Sequence, residues 1–197
     1  ELEAALTKME EAGLKGLVLD LRDNPGGLLT QSARVAEKFI KAGQLIVSTE
    51  GRDARELDRL VATVIGHRTL PMVILINGGS ASASEIVAGC LQDLKRAELV
   101  GTRTFGKGSV QSILPLKDGS ALRLTTAKYY TPSHRTIHEK GIEPDYLVEM
   151  TPEQMRDIML QRSPGGLETL PEEDRERVKA TTDSQFDKAL EILRKKL

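Results

Sequence analysis

The chain has 197 residues, 39% of them hydrophobic and 29% charged, with 28 basic side chains against 29 acidic ones. That is the size and make-up of a soluble domain with its own core, and the nearly cancelling charge excludes binding of the whole molecule to nucleic acid or an anionic membrane as the default reading. Aromatics make up 3% with no Trp, against a stacking platform for single strands, and the lone Cys90 excludes an intramolecular disulfide or a multi-thiolate metal site.

The opening ELEAALTKMEEAGLKG places Leu2, Leu6 and Met9 at helical spacing. Residue 1 is neither a Met nor part of a signal peptide, so the chain is expected to begin inside a longer precursor, and no transmembrane stretch follows. In KGLVLDLRDNPGG, Leu17, Val18, Leu19 and Leu21 form the short apolar run of a strand buried on both faces, closed by a Pro-Gly-Gly turn. LLTQSARVAEKFIKAG returns to helical spacing, QLIVST reads as a second strand, DARELDRLVATVIG as a helix and LPMVILING as a third buried strand. SASEIVAGCLQDLKR is a helix and AELVG a short strand, so strands alternate with helices as in a mostly parallel, helix-covered sheet.

Beyond Gly106 the pattern changes. SVQSILPL and ALRLTTAKYY are strand-like and joined through Asp118-Gly119, a strong hairpin signal, and YTPSHRTIHEKGIEPD is a turn-rich surface segment. From Thr151 the composition shifts to helices, with TPEQMRDIMLQR opening on Thr then Pro and DSQFDKALEILRKKL closing the chain across a linker, SPGGLETLPEED. The expected organisation is a core over residues 1–150 and a helical extension over residues 151–197. The terminal amphipathic helix either closes onto the core or forms a dimer contact; the first is the default for a lone helix, and a homo-oligomer stays open.

Residues 101 to 109, GTRTFGKGS, come within one residue of the phosphate loop G-x-x-x-x-G-K-[ST], but Gly108 stands where the hydroxyl belongs and a β-run follows in place of a helix. The nucleotide reading is therefore weak, and an exposed Lys on a Gly-rich turn is the bland alternative. NGGSASASEIVAG shifts the balance: it lies where a buried strand meets a helix N-terminus, a junction that lifts a side chain above the sheet beside free backbone N–H groups. Such amides suit the oxyanion of an acyl-transfer intermediate, which makes a serine here a candidate nucleophile. Ser82-Ala83-Ser84-Glu85 also matches a capping box, and Ser80, Ser82 and Ser84 leave the nucleophile ambiguous on local grounds.

A serine nucleophile needs a base. His67 precedes the third strand, while His134 and His138 lie in the turn-rich segment; each reads better as a solvated loop histidine, and no third ligand turns the last two into a metal site. Lysine can serve if burial lowers its pKa. Lys107 sits on a tight turn before a β-run, and period-2 alternation projects Lys107, Ser109 and Gln111 to one side, where Gln111 can orient the amine without adding charge.

The ordered motifs GLVLDLRDNPGGLL, NGGSASASEIVAG, GTRTFGKGSVQ and DGSALRLTTAKYYTPSHRTIHEKGIEPD, spanning Lys15 to Val148, resemble the C-terminal processing peptidases, or tail-specific proteases, a family of serine–lysine endopeptidases. The resemblance implies an α/β, crotonase-like core of mostly parallel strands covered by helices, with a β-hairpin region and C-terminal helices. It puts the nucleophile on Ser82, the base on Lys107, the assisting glutamine on Gln111, and the oxyanion hole on the amides of Ala83 and of Gly26 or Gly27, Pro25 having no N–H. Glu85 then serves as helix cap or site support. The resemblance further implies no cofactor, protein or peptide substrates with accessible C-termini, and an extracytoplasmic location in periplasm or cell envelope. Family members also carry, before the core, a PDZ domain and a further core strand; neither is seen in this sequence, so an N-terminally incomplete core is expected. An inactive peptidase-like or crotonase-like scaffold that binds peptides is the alternative.

Overall fold

The structure is a computed structural model that describes residues 1–52, 57–64 and 68–197. Its elements run α1 (Leu2–Glu11), β1 (Leu17–Asp20), α2 (Leu29–Ala36), β2 (Leu45–Gly51), β3 (Leu57–Val61), β4 (Met72–Ile76), α3 (Ala83–Asp93), β5 (Glu98–Gly101), β6 (Ser109–Pro115), β7 (Ala121–Tyr130), β8 (Tyr146–Leu147), α4 (Pro152–Arg162), α5 (Glu172–Ala180) and α6 (Ser184–Arg194). Among the described residues they form a parallel sheet, ordered β1-β4-β5-β8, and an antiparallel sheet, ordered β3-β2-β7-β6.

The apolar run of β4 explains the layering. All five of its residues are buried, and because successive side chains point to opposite faces, one strand feeds two cores. Met72, Ile74 and Ile76 join the large cluster with Phe39, Ile46, Ile86 and Leu91, whereas Val73 and Leu75 pack with Val100, Ala189, Ile192 and Leu193. The second cluster comes from α6, so the terminal helix closes onto the open face of the parallel sheet. Each large apolar side chain buried there contributes roughly 1.5–3 kcal/mol.

Two expectations from periodicity are corrected. The helix over DARELDRLVATVIG is not formed where it can be described: Leu57–Val61 is a strand antiparallel to β2, and residues 53–56 and 65–66 of that stretch, with His67 after it, lie outside the described residues. Helix-forming residues yield there to pairing with a neighbouring strand, which supplies the backbone hydrogen bonds a helix would otherwise make internally. QLIVST is a strand as read, but β2 pairs antiparallel with β3 and β7 instead of entering the parallel sheet. The hairpin of β6 and β7 is present, and β8, directly after the turn-rich stretch, adds a parallel edge beside β5.

Candidate active site

The C-terminal ends of β1 and β4 converge on two turns that hold each other. The Asn77 side chain accepts the amides of Asp23, at 2.9 Å, and Gly79, at 3.0 Å, and donates to the Asp23 carboxylate. The Ser80 hydroxyl is fully buried, donates to the Leu21 carbonyl at 2.7 Å and accepts the Asn77 amide at 3.0 Å. Ser80 is thus committed to joining the strand ends, and Ser84 is buried in the first turn of α3.

Ser82 differs from both. It is half-buried, it stands at the N-cap of α3, and its backbone has φ 57° and ψ −116°, a left-handed conformation costing a non-glycine residue on the order of 1–3 kcal/mol. Serine and Glu85 occupy capping-box positions, and the glutamate half is formed: Glu85 Oε2 accepts the Ser82 amide at 2.8 Å. The hydroxyl half lacks hydrogen-bond geometry, since the Glu85 amide donates to the Ser82 carbonyl at 3.0 Å and the Ser82 side chain makes no capping bond.

Glu85 does more than cap. Its carboxylate is fully buried, and it accepts the Thr104 hydroxyl at 2.6 Å, the Gly106 amide at 2.7 Å and the Lys107 amide at 2.8 Å as well as the Ser82 amide. One oxygen, Oε2, takes both the Ser82 and Lys107 amides, each at 2.8 Å, so the two nitrogens can be no further apart than twice that distance. Thr104, which no motif in the sequence marks, is 3% exposed and also accepts the Ile142 amide at 2.7 Å, tying the lysine turn to the loop behind it.

The turn around Lys107 is gripped at the backbone. A Cβ on Gly108 would lie 2.3 Å from the His138 amide nitrogen, which accounts for glycine where a phosphate loop has its hydroxyl. The Gly106 carbonyl accepts the Glu139 amide at 2.9 Å and that of Gly108 accepts the Tyr129 amide at 2.8 Å. The Lys107 side chain itself is exposed. Gln111 is exposed too, and its amide is used within the hairpin: Nε2 donates to Thr125 Oγ1 at 2.6 Å, and Oε1 accepts Arg123 Nε at 3.1 Å. Glu85 therefore brings Ser82 and Lys107 together through their backbones, while Gln111 faces hairpin partners.

Gly26 lies against the Ser82 turn with φ +93°, and a Cβ there would stand 2.5 Å from the Ala81 carbonyl oxygen and 2.7 Å from the Ala83 nitrogen. Its own N–H donates to Asn24 Oδ1 at 3.0 Å, and the Asn24 carbonyl accepts the Ala81 amide at 3.0 Å. A Cβ on Gly27 would meet nothing within 4 Å. Ala83 opens α3, where a helix leaves its first amides without intrahelical partners. A pocket of about 170 Å³ adjoins these amides, walled by Leu21, Leu28, Gln31, Val35 and Val87.

His134 lies apart from this arrangement, whereas the backbone of His138 abuts Gly108. His134 Nε2 bonds Glu50 on β2 and the ring stacks on Tyr130 at 4.7 Å, while His138 Nε2 is 3.7 Å from Glu139. No His, Cys, Asp and Glu cluster suited to a metal occurs among the described residues. Burial, with a smaller contribution from the Asp93 charge, pushes the Cys90 thiol up to about 12.

A family model described as peptidase family S41 matches residues 1–148. The chain belongs to that family. It is 54% identical over 155 residues to a carboxy-terminal-processing protease of Bartonella bacilliformis, the match taking in 76% of this chain and 35% of that protein. It is 44% identical over 149 residues to a carboxyl-terminal-processing protease of Synechocystis sp., covering 76% of this chain and 34% of the other. Among solved structures, the photosystem II D1 C-terminal processing protease superposes with a TM-score of 0.69 at 38% identity, covering 75% of this S41 chain and 38% of that one. The chain therefore spans about a third of the length of the curated relatives it matches. As an S41 chain, its mixed α/β architecture is that of the solved S41 peptidases.

Proposed function

We propose that this chain is the catalytic part of a serine endopeptidase that cleaves proteins near their C-terminus through a Ser82–Lys107 dyad. The observation that carries the reading is the shared anchoring of Ser82 and Lys107 on Glu85 Oε2, with Ser82 held in a strained conformation at a strand-to-helix junction. Ser80 and Ser84 are buried, which supports Ser82 among the three hydroxyls.

In this mechanism the Ser82 hydroxyl oxygen bonds to the peptide carbonyl carbon as its proton passes to the neutral Lys107 amine. The carbonyl oxygen becomes an oxyanion facing the Ala83 amide and a glycine amide. The Gly26 N–H is taken by Asn24, so Gly27 is the second donor we propose. The intermediate collapses and Lys107 returns the proton to the leaving amine; water, giving a proton to the same lysine, then bonds to the acyl carbon, and the lysine passes that proton to the departing Ser82 oxygen. The mostly apolar pocket beside Gly27 and Ala83 suits an apolar side chain on the acyl side of the cut.

Lys107 is exposed, and we read this arrangement as open: a peptide lying over the amine excludes water, and desolvation favours a neutral amine. Gln111 orients Lys107 in this mechanism after leaving its hairpin partners. Functionally, residues 1–150 form the reaction core and residues 151–197 a helical extension that supports it. Substrates are proteins or peptides with accessible C-termini, and an extracytoplasmic location, periplasm or cell envelope, belongs to the same proposal. No helix among the described residues is long and apolar enough to cross a membrane.

The exposed amine and the hairpin bonds of Gln111 favour a second reading, a peptidase-like scaffold that binds peptides without cutting them. One experiment separates the two: cleavage of an unstructured polypeptide with an apolar C-terminus by the parent chain, Ser82→Ala and Lys107→Ala. Loss of turnover in both variants is the expected result, roughly 10⁴-fold or more for the serine. Full activity in either rejects the dyad, and binding without cleavage by the parent favours the scaffold.

A further inference from the structure

Arg22 follows β1 at the corner of the turn that leads to Gly26 and Gly27, and all five of its guanidinium N–H donors are engaged. Nε and Nη2 donate to Asp20 at 3.0 and 2.7 Å, Nη1 and Nη2 to Asp183 at 3.0 and 2.8 Å, and Nη1 also to Gln185 Oε1 at 3.0 Å. Arg162 closes the ring, donating to Asp20 and to Asp183 at 2.7 Å each. The Arg22 side chain is 4% exposed and that of Asp183 10%, so their pair is desolvated, while Asp20 and Arg162, at 33% and 45%, form its solvent-facing rim. Its closing groups come from α4, the N-cap of α6 and α6 itself, all beyond residue 148, where the family match ends.

The other end of the same turn holds the reaction centre. The Asn24 amide donates to the Leu21 carbonyl at 3.3 Å, which leaves Arg22 and Asp23 as the two corner residues. Asn24 then takes the Ala81 amide on its carbonyl and the Gly26 amide on its side chain, each at 3.0 Å. Pulling the Arg22 corner toward the C-terminal helices therefore fixes where Gly26 and Gly27 stand against Ala83. We propose that Arg22 is a positioning residue through which the helical extension, by way of Asp183, holds the oxyanion turn in register with Ser82. This deepens the reading of Ser82 and that turn as the reaction centre and rests on it.

The test is Asp183→Asn. Asparagine caps a helix as well as aspartate does, so the bond to the Phe186 amide survives while the charge between the two arginines is removed. An oxyanion donor acts on the transition state more than on bound substrate, and a small misplacement costs up to about 100-fold in rate. The expected result is a kcat lowered roughly 10-fold or more with KM within about twofold. Arg162→Gln, which loosens the same carboxylate from its other side, is expected to act in the same direction. A lowered melting temperature with unchanged kcat in both variants overturns the proposal, because a purely structural clasp behaves that way.

Amide hydrogen exchange supplies a readout independent of turnover. In Asp183→Asn the Asn24, Gly26 and Ala81 amides should exchange faster than in the parent, while those of Ile74 and Leu75 in β4 stay as slow. Unchanged exchange at the turn overturns the inference whether or not the chain cuts peptides. If the parent and Ser82→Ala turn over substrate alike, the peptidase reading fails separately, and faster exchange at the turn still upholds the clasp.

Discussion

The two sides of the candidate site are built differently. The Ser82 side is locked: its turn follows the buried β4 and is tied to the end of β1, its neighbours Ser80 and Glu85 are fully buried, and the adjoining glycine turn is pinned by Asn24 and Asn77. On the Lys107 side the backbone is gripped, yet the amine, Gln111 and most of the following hairpin face solvent, with Ile113 at 70% exposure. A nucleophile that must meet an oxyanion hole gains from a fixed frame, whereas a base that must be neutral gains from being covered only when substrate arrives. Glu85 is the joint between the two sides, since it holds both amides on one oxygen.

The largest expected effect follows from cutting that joint. Glu85→Gln keeps the volume, but an amide nitrogen would replace one of two oxygens that each accept two donors, leaving buried donors unpaired. Hydrogen bonds to a buried charge contribute about 1.5–3 kcal/mol each, so stability should fall by roughly 3 kcal/mol or more and turnover should disappear. Denaturant unfolding and the cleavage assay check both; near-parent turnover would show that the shared oxygen does not set the dyad.

Gly26→Ala attacks only the locked side. The φ of +93° and the 2.5 Å approach to the Ala81 carbonyl force the turn away from Ala83, so kcat should drop by roughly 100-fold while KM changes little. Gly27→Ala meets no atom within 4 Å and is the matched control for space. A similar loss of kcat in both would shift the cause from steric displacement to backbone freedom.

These two glycines mark how much was legible in the sequence. Their presence next to Pro25 was plain, but which N–H remains free depends on a local bond to Asn24 that composition does not encode. The MVILI run announced a strand buried on both faces, yet what covers its second face is α6, more than a hundred residues later. Leu57–Val61 misled because its residues favour a helix in isolation, while β2 offers a pairing partner only in the fold. Glu85 was visible as a cap; its second function depends on where Thr104, Gly106 and Lys107 arrive, and no spacing rule carries that.

Removing the far-side support tests whether the locked half depends on α6. Leu193 is 5% exposed against Val73 and Leu75, and Leu193→Ala should cost about 2–5 kcal/mol in chemical denaturation. A cost below about 1 kcal/mol would mean that α6 lies on the sheet without stabilising it.

Acid should weaken the Arg22 network on the locked side. Burial opposes the Asp20 and Asp183 carboxylates, but the Arg22 hydrogen bonds and the charges around them outweigh it and hold both below the ordinary range. A depressed folded value means the network's contribution is complete above the ordinary aspartate pKa of about 3.9 and is lost as pH falls below it. The slope of stability against pH under ~4 should therefore flatten in Asp183→Asn, and an unchanged slope would remove this network from the acid response.

The smallest expected effect concerns the open side. Gln111 is exposed and bonded within the hairpin, so Gln111→Ala should alter stability by no more than about 0.5 kcal/mol. If the glutamine leaves Thr125 and Arg123 to orient the lysine when peptide covers it, kcat should still fall, by roughly 10-fold, because the interaction exists only in the closed arrangement. The contrast between an unmoved melting temperature and a lowered kcat is what separates a base assembled by substrate from one already assembled. An unaltered kcat would leave Gln111 as a hairpin residue and make the backbone grip on Lys107 the whole of the protein's contribution to placing its base.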